Sequence, residues 1–409
     1  MATEARAPAR ALRAAALVLL ALAALCALSA PAAAAPRIGV ATMQPGEIFF
    51  ERFGHNAIIV DDPASGPPLS YNFGFFDPDE PGFHLRFVQG AMRYRLAVLP
   101  LAQDLAYYRS VGRGVSIQWL DLDPEAAVGL AESLAANARP ENAAYDYAYF
   151  LDNCSTRVRD ALDAALGGVL ARHMQGRSQG NTFRSEAVRL ARPDPLMALG
   201  FDLGLGPASD RPNALWEDAF VPMRLAASLR DIRLADGRPL VRSEEVLLPH
   251  RLAPEPEPRR VAWWPWLVAG LALAALAWSQ RSRPRALAAA ALPAWFLSAA
   301  LGALMLYIWF GTAHRFGWAN HNLLLFNPLC LLLLPGAWRI ARGRDGGRVF
   351  GLLLPLVAAM ALLAPFLLWM PQQSQRNGHW VALVLPLQLA LAAALHARAG
   401  PLRRPATKG

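Results

Sequence analysis

Two side chains in this sequence have the types and surroundings that nucleophilic catalysis needs, Cys154 and His55. Cys154 lies in residues 152–157 (DNCSTR), where a polar loop is predicted to become a helix. A helix N-terminus lowers the pKa of a thiol and stabilises negative charge, which favours a nucleophilic thiolate. His55 begins a predicted buried strand, and its imidazole is a natural base for generating that thiolate. We therefore predict a Cys-His site; the alternative is that Cys154 is simply a small buried apolar side chain.

The remaining composition offers no competing chemistry. Cys26 and Cys330 fall in apolar stretches, so the three thiols of the chain do not form a disulfide framework. No paired Cys or His spacing suggests zinc, and no glycine-rich phosphate loop separates a strand from a helix. We predict no metal and no cofactor. Residues 36–255 also lack a basic stripe interleaved with aromatic residues, so we predict no nucleic-acid partner despite a net charge of +9.

The elements that position the pair are predicted from the residue pattern of the N-terminal half. Short apolar segments predict strands at 38–43, 57–60, 69–76, 96–100 and 116–122. Asp123 as N-cap and Pro124 at the first position predict a helix over 124–137, and a second helix is predicted over 155–166. His55 then begins an early strand and Cys154 precedes a later helix. The predicted fold class of this half is α+β.

A third residue is needed to orient the imidazole of His55. Asn72 lies on the next predicted strand and suits this role, with Asp61 and Asp62 as alternatives. Tyr71 and Asn72 suit equally well a role in capping a local turn. The sequence therefore leaves the third member open.

Charged residues on the helix that follows Cys154 are candidates for supporting the site. Arg157 falls about one turn from the thiol and is predicted to face it, with Asp160 paired to Arg157 or to Arg184. The alternative is an ordinary solvated ion pair on the helix surface.

The chain begins with the pattern of a secretory signal peptide. Arg6, Arg10 and Arg13 precede an apolar run from about 14 to 28 and a small-residue stretch at 30–35. We predict that residues 1–35 are a signal peptide or, if uncut, an N-terminal anchor. Residues 36–250 then form an exported domain, and the proline-rich residues 251–260 form a stiff spacer that holds this domain off the membrane.

Five apolar runs follow at about 261–279, 288–310, 322–338, 349–370 and 380–397, each close to the ~20 residues that cross a bilayer. We predict five transmembrane helices over 261–398 and a basic cytosolic tail over 399–409. Arginines concentrate in the first and third connecting loops and in the tail, whereas the second and fourth loops carry only Arg315 and Arg376. The positive-inside rule therefore places the C-terminus in the cytosol and the N-terminal domain outside it.

Several spaced motifs resemble the Lnb N-terminal periplasmic domain family. These are residues 52–58 (RFGHNAI), 71–77 (YNFGFFD), 87–90 (FVQG) with Tyr94, 152–160 (DNCSTRVRD), 182–184 (TFR), 215–217 (LWE) and 220–222 (FVP). The resemblance covers about residues 36–250. The membrane half is similar to the family through His314, Asn320, residues 322–324 (NLL) and residues 327–329 (NPL).

The resemblance implies a membrane-bound thiol acyltransferase at the outer face of a bacterial inner membrane. The family's namesake moves an acyl chain within bacterial lipoproteins, so the implied partners are membrane lipid and a lipoprotein. The order His then Cys is also similar to permuted papain-like enzymes of the NlpC and lecithin retinol acyltransferase kind, in which the base lies on an early strand. The implied mechanism uses Cys154 as nucleophile, His55 as base and Asn72 as the orienting residue.

Other matching positions are expected to support the site or bind substrate, and they are Asn153, Thr156, Arg157, Glu51, Tyr71, His314, Asn320 and Asn322. The three in the membrane half lie on the same side as Cys154 and would shape the entrance for a lipid; the alternative is that outer loops are simply polar. A cell-envelope cysteine peptidase or amidase and a non-enzymatic binding protein are the other functions to consider. The sequence carries no signature of oligomeric state.

Overall fold

The chain folds into a sheet region followed by a helical region. The structure is a computed structural model that describes residues 12–18, 35–259, 261–370 and 374–398. Apart from residues 12–18 and 35, the predicted signal peptide lies outside the described residues, as does the predicted basic tail at 399–409. Residues 12–18 are helical.

Seven strands form one antiparallel sheet within residues 35–259. They are β1 (Arg37–Met43), β2 (His55–Asp61), β3 (Leu69–Phe75), β4 (Arg93–Pro100), β5 (Val115–Leu120), β6 (Ala144–Asp146) and β7 (Val241–Leu248). Their order in the sheet is β6-β4-β3-β2-β1-β5-β7. Strands β1, β2 and β3 follow one another in the chain and lie side by side at the centre of the sheet.

Nine helices surround this sheet in the same part of the chain. They are α1 (Phe83–Gln89), α2 (Leu101–Ser110), α3 (Pro124–Asn137), α4 (Cys154–Ala165), α5 (Val169–Met174), α6 (Phe183–Ala191), α7 (Pro195–Gly204), α8 (Leu215–Asp218) and α9 (Pro222–Asp231). The predicted helices at 124–137 and 155–166 correspond to α3 and α4. Sheet and helices together make this region α+β.

The alternation of side chains along β1 and β2 divides the core into two layers. Val40, Ile58 and Val60 pack with Leu130 and Leu162 on the face that α3 and α4 cover. The neighbouring positions, Ala41, Met43, Ala57 and Ile59, pack with Tyr108 of α2 on the other face. Both faces of the central strands are therefore buried, and His55 begins a strand that is almost fully enclosed.

The helical region contains five apolar helices, α10 (Trp264–Ser279), α11 (Pro284–Gly311), α12 (Cys330–Ala341), α13 (Arg348–Leu367) and α14 (Gly378–Leu395). Of the described helices, α11, α13 and α14 with its last turn to Arg398 are long and apolar enough to cross a membrane. Helices α10 and α12 have 16 and 12 residues. Five helices thus occur where five runs were predicted, while three have the full crossing length.

The third predicted run, at 322–338, is the least accurate. Its first residues form a 3-10 turn at His321–Leu324, and the α-helix begins only at Cys330. Pro328 has no N–H group and restricts the residue before it, so a continuous helix through this point is unfavourable. The Asn327 side chain instead accepts a hydrogen bond from the backbone N–H of Leu329 at 2.9 Å.

The two regions contact each other directly, so the spacer does not hold them apart. The N–H of Ala313 donates to the carbonyl of Gln89 at 2.7 Å, and the N–H of Gly206 donates to the carbonyl of Phe316 at 2.6 Å. Within the spacer, Glu255 forms an ion pair with Arg189 at 2.6 Å. The predicted spacer therefore lies against the sheet region at Glu255.

Arg184 organises the part of the sheet region that meets the helices. Its guanidinium is buried, pairs with Asp210 at 2.9 Å, and donates to the carbonyls of Asp202 at 2.5 Å and Leu205 at 2.6 Å. Asp210 in turn accepts from the N–H of Arg376 in the helical region at 3.1 Å. One buried cation therefore connects α6, the end of α7 and the loop of the helical region that contains Arg376.

Replacing this cation should destabilise the protein strongly. Arg184→Ala leaves Asp210 buried without its partner, and the loss of one member of a buried pair typically costs about 3–5 kcal/mol. We expect a clear fall in the apparent melting temperature of the detergent-solubilised protein. Arg238→Ala is the matched control, because Arg238 binds three carboxylates on the surface. Equal melting temperatures for the two variants would contradict this role of Arg184.

Candidate active site

The position of Cys154 is set by the Asn153 side chain, which caps α4. Its amide oxygen accepts from the N–H groups of Ser155 and Thr156, each at 2.9 Å, and the Thr156 hydroxyl accepts from the N–H of Asn153 at 2.8 Å. This reciprocal arrangement is a capping box. Cys154 is therefore the first residue of the helix, which begins one residue before the predicted start at 155.

His55 and Asn72 lie on the same face of the sheet, on the adjacent strands β2 and β3. The His55 Nε2 atom is 3.0 Å from the Asn72 Oδ1 atom. The Asn72 amide nitrogen donates to the Asp104 carboxylate at 2.8 Å and to the Ser70 hydroxyl at 3.0 Å. These acceptors fix the orientation of the amide, so its oxygen faces the imidazole and accepts from Nε2–H. The other ring nitrogen, Nδ1, is left for the thiol.

The thiol and the imidazole are close enough that each shifts the pKa of the other toward its charged form. Burial by itself would raise the pKa of Cys154, but the charge and hydrogen bond of His55 and the N–H groups of Asn56 and Ser155 lower this pKa below its ordinary value. Burial would likewise lower the pKa of His55, yet the nearby Cys154 and the Asn72 hydrogen bond raise it. The arrangement therefore favours a thiolate beside an imidazolium.

The pair opens onto an apolar cavity of about 450 Å³. Both His55 and Cys154 line it, and so do twelve phenylalanines and tyrosines of the sheet region, Phe49, Phe50, Phe53, Phe73, Phe76, Phe87, Tyr94, Tyr147, Tyr149, Phe150, Phe201 and Phe220. The helical region contributes Ile308, His314 and Gly317. The volume suits a small molecule or an acyl chain, and the walls offer few polar partners. Both regions of the chain therefore build the space in front of the thiol.

Charged residues near Cys154 pair differently from the prediction. Arg157 forms two hydrogen bonds with Asp152, at 2.5 and 2.8 Å, and lies over the ring of Tyr145 outside the cavity. Asp160 pairs with its neighbour Arg159 at 2.7 Å, so the predicted pairing with Arg157 or Arg184 was wrong. Asp152, in the loop before α4, is the carboxylate that binds Arg157, and Asp160 in the next helical turn is not.

The candidates Glu51 and Tyr71 of the sheet region do not line the cavity. Glu51 pairs with the buried Arg113 at 3.2 Å. Tyr71 points to the opposite face of the sheet from Asn72 and packs in the core. Of the alternatives to Asn72, Asp61 pairs with Arg37 at 3.5 Å and Asp62 caps an exposed turn. Neither aspartate reaches His55, and Asn72 is the residue that the structure brings to the imidazole.

The three polar candidates of the helical region divide into two roles. His314 lines the cavity, and its Nε2 atom is 3.1 Å from the carbonyl of Phe87. Asn320 donates to the carbonyl of Leu203 at 2.7 Å, and Asn322 donates to the same carbonyl at 3.1 Å. His314 is therefore part of the cavity wall, whereas Asn320 and Asn322 hold the end of α7.

Asp104 is the residue of the site that the sequence analysis missed. It is buried on α2 and accepts the hydrogen bond that orients Asn72. The only signal was an acidic residue among the mostly apolar residues 101–108, where no element was predicted and no motif is recognisable. Among the described residues, no group of three or more His, Cys, Asp or Glu side chains is arranged to hold a metal ion.

The fold and the site together describe a protein with a buried thiol–imidazole pair in a sheet region and a helical region apolar enough for a membrane. Residues 33–186 match the family model of the Lnb N-terminal periplasmic domain, and residues 256–399 match that of the Lnb transmembrane domain. The chain belongs to the Lnb family and is a membrane protein with a periplasmic domain. No curated protein and no solved structure matches it. The predicted resemblance is confirmed.

The lowered pKa of Cys154 predicts a pH dependence for alkylation. The thiolate should persist to lower pH than that of an ordinary cysteine, so the rate of reaction with iodoacetamide should have its midpoint below about 8.5. His55→Ala removes the positive charge and should move this midpoint to higher pH. Asn72→Ala removes one hydrogen bond that raises the pKa of His55, so it should move the midpoint in the same direction by less.

Cys154→Ser measures the background from the other thiols, and Cys330 is buried. An unchanged midpoint in His55→Ala would contradict the paired thiolate and imidazolium.

Proposed function

We propose that this protein is a thiol acyltransferase that moves an acyl chain from a lipid ester, through a thioester on Cys154, to an amine such as the N-terminus of a lipoprotein. Membership of the Lnb family supports an envelope protein of the lipoprotein N-acylation type. The observation that carries the proposal is the position of the thiol–imidazole pair on the wall of an apolar, aromatic cavity.

In the first half-reaction the Cys154 thiolate attacks the ester carbonyl and forms a tetrahedral intermediate. The positive end of α4 stabilises negative charge at this position. The intermediate collapses to a thioester, and the His55 imidazolium gives its proton to the departing alkoxide. In the second half-reaction an amine attacks the thioester, His55 takes a proton from the amine, and the thiolate leaves. The net change converts an ester and an amine into an amide and an alcohol.

The arrangement of the sheet region supports a permuted papain-like fold. The base begins an early strand, the orienting amide lies on the adjacent strand, and the nucleophile begins a later helix. The Asn72 amide has the role that an orienting third residue has in such sites. Asp104 extends this chain of hydrogen bonds by one member.

We further propose that all five helices of the helical region cross the inner membrane. The loops that contact the sheet region, around Ala313, Asn320 and Arg376, are the second and fourth connections. The arginine-rich first and third loops lie together at the other end, where Gly343 approaches the guanidinium of Arg285. This arrangement matches the positive-inside rule and would place the C-terminus in the cytosol.

A cysteine amidase acting on cell-wall peptide is the second candidate, because it would use the same Cys154 and His55. The lining of the cavity argues against it. Phenylalanine rings and methionines offer few partners for the charged groups of a stem peptide, which would lose hydration without compensation.

The proposal predicts that lipoproteins gain an N-terminal amide-linked acyl chain only when the site is intact. The full chain should be expressed in a host that lacks its own N-acyltransferase, and the acylation state of lipoproteins should be read by mass spectrometry. Cys154→Ser and His55→Ala are expected to abolish the modification, since each removes a reacting group. Cys330→Ala, a change in the helical core, is the matched control.

A wild-type chain that leaves lipoproteins unmodified would overturn the acyltransferase. Trimmed stem peptides in the same cells would establish the amidase instead.

A further inference from the structure

Helix α7 is almost entirely apolar, yet one side of it has no protein cover. Its ten residues include one charged side chain, Asp202. That carboxylate lies 2.6 Å from the His379 Nε2 atom and accepts from the Trp380 indole at 2.9 Å. On the outer face, Leu196 is 80% exposed and Leu199 is 41% exposed. A helix that is hydrophobic all round is normally buried in protein or in lipid.

The opposite face of α7 forms part of the cavity in front of Cys154. Met197, Gly200, Phe201 and Gly204 line that cavity. The ring of Phe201 packs edge-on against Phe53, with ring centroids 5.8 Å apart. This helix is therefore the wall between the cavity and the surroundings of the protein.

The C-terminal end of α7 is held at the outer end of the membrane helices. Its Leu203 carbonyl accepts hydrogen bonds from Asn320 and Asn322, and Asp202 binds two residues at the start of α14. Asn320 and Asn322 lie in the connection before α12, and His379 and Trp380 belong to the first turn of α14. In the proposed topology this end of the membrane helices faces the periplasm, which puts α7 beside the periplasmic leaflet.

A second apolar patch has the same relation to the helical region. This surface, the α1 patch, consists of Leu85 and Val88 on α1 with Phe49 beside them, and Leu85 is 61% exposed. The C-terminal end of α1 is attached to residues that follow α11, where Ala313 donates to the carbonyl of Gln89. Phe49 also lines the cavity, so this patch borders its mouth.

We infer that α7 and the α1 patch are immersed in the acyl region of the periplasmic leaflet, and that a membrane lipid enters the cavity sideways between them. Exposed apolar surface of this extent is unfavourable in water and favourable among acyl chains. Both elements continue the apolar surface of α11, whose last turn exposes Phe310. The ester of an entering lipid then approaches Cys154 while its chains stay in an apolar environment. This lipid route rests on the proposed function, whereas the immersion does not.

Site-directed spin labelling of the full chain in vesicles of phosphatidylethanolamine and phosphatidylglycerol tests the immersion. Nitroxides are placed singly at Leu196, Leu199 and Val88 in a background of Cys26→Ala, Cys154→Ser and Cys330→Ala. The matched control is Val128 on α3, which is 39% exposed and lies on a helix of the sheet region that packs against α4. At each site the collision rates with oxygen and with a water-soluble nickel chelate are compared.

Oxygen concentrates in the acyl region while the nickel chelate stays in water. Oxygen collisions should therefore exceed nickel collisions at the three test positions, and the ratio should reverse at Val128. Equal nickel access at Leu196 and Val128 would overturn the inference. Because the background lacks the nucleophile, this result is independent of catalysis. Immersion without lipoprotein acylation would refute the proposed reaction and leave the membrane surface established.

Discussion

The four hydrogen-bonding positions of the Asn153 amide are all occupied, and the geometry of the site follows from this. The oxygen accepts from two N–H groups at the start of α4, while the nitrogen donates to the carbonyls of Tyr149 at 3.0 Å and Phe220 at 2.9 Å. A single side chain thus joins the loop that contains Tyr149, the start of α4 and the segment before α9. Because a buried amide that loses partners is costly, the position of the next residue, Cys154, is strongly determined.

A second constraint is the joint construction of the cavity by both regions. The sheet region supplies the thiol and the imidazole, and the helical region supplies Ile308 from α11 and His314 and Gly317 from the loop after it. Polar contacts at this junction are buried, such as those of Arg184 and Asn320, and therefore specify one relative placement of the two regions. The site is complete only when the regions are docked, which explains why a thiol domain is joined to membrane helices instead of being attached by a loose tether.

The placement of Cys154 and His55 could be predicted from the sequence because local rules determine the elements that carry them. Cys154 follows an asparagine that is a strong helix cap, and His55 begins a run of apolar residues that reads as a strand. Asn72 could be proposed because adjacent strands place residues side by side, but choosing it over Asp61 required the register of β2 and β3. Asp123 precedes α3 as predicted, although its side chain makes no capping bond and pairs with Arg238 instead.

What the sequence could not supply is contact between distant segments. Asp104 lies 32 residues after Asn72, and its role depends on α2 covering one face of the sheet. The partner of Arg157 was misplaced because helix spacing considers only residues within the helix, while Asp152 lies in the preceding loop. Helix α7 has ten residues, too few to span a membrane, so the sequence alone did not indicate what its apolar surface contacts.

The covalent intermediate is the most direct consequence of this account. Purified full-length protein should be incubated with a diacylated lipoprotein peptide or phospholipid in the absence of an acceptor amine, digested, and examined by mass spectrometry. The account predicts an acyl group on the peptide that contains Cys154, removable by hydroxylamine as a thioester is, and absent from His55→Ala. An unmodified Cys154 in a preparation that still acylates lipoproteins would contradict it.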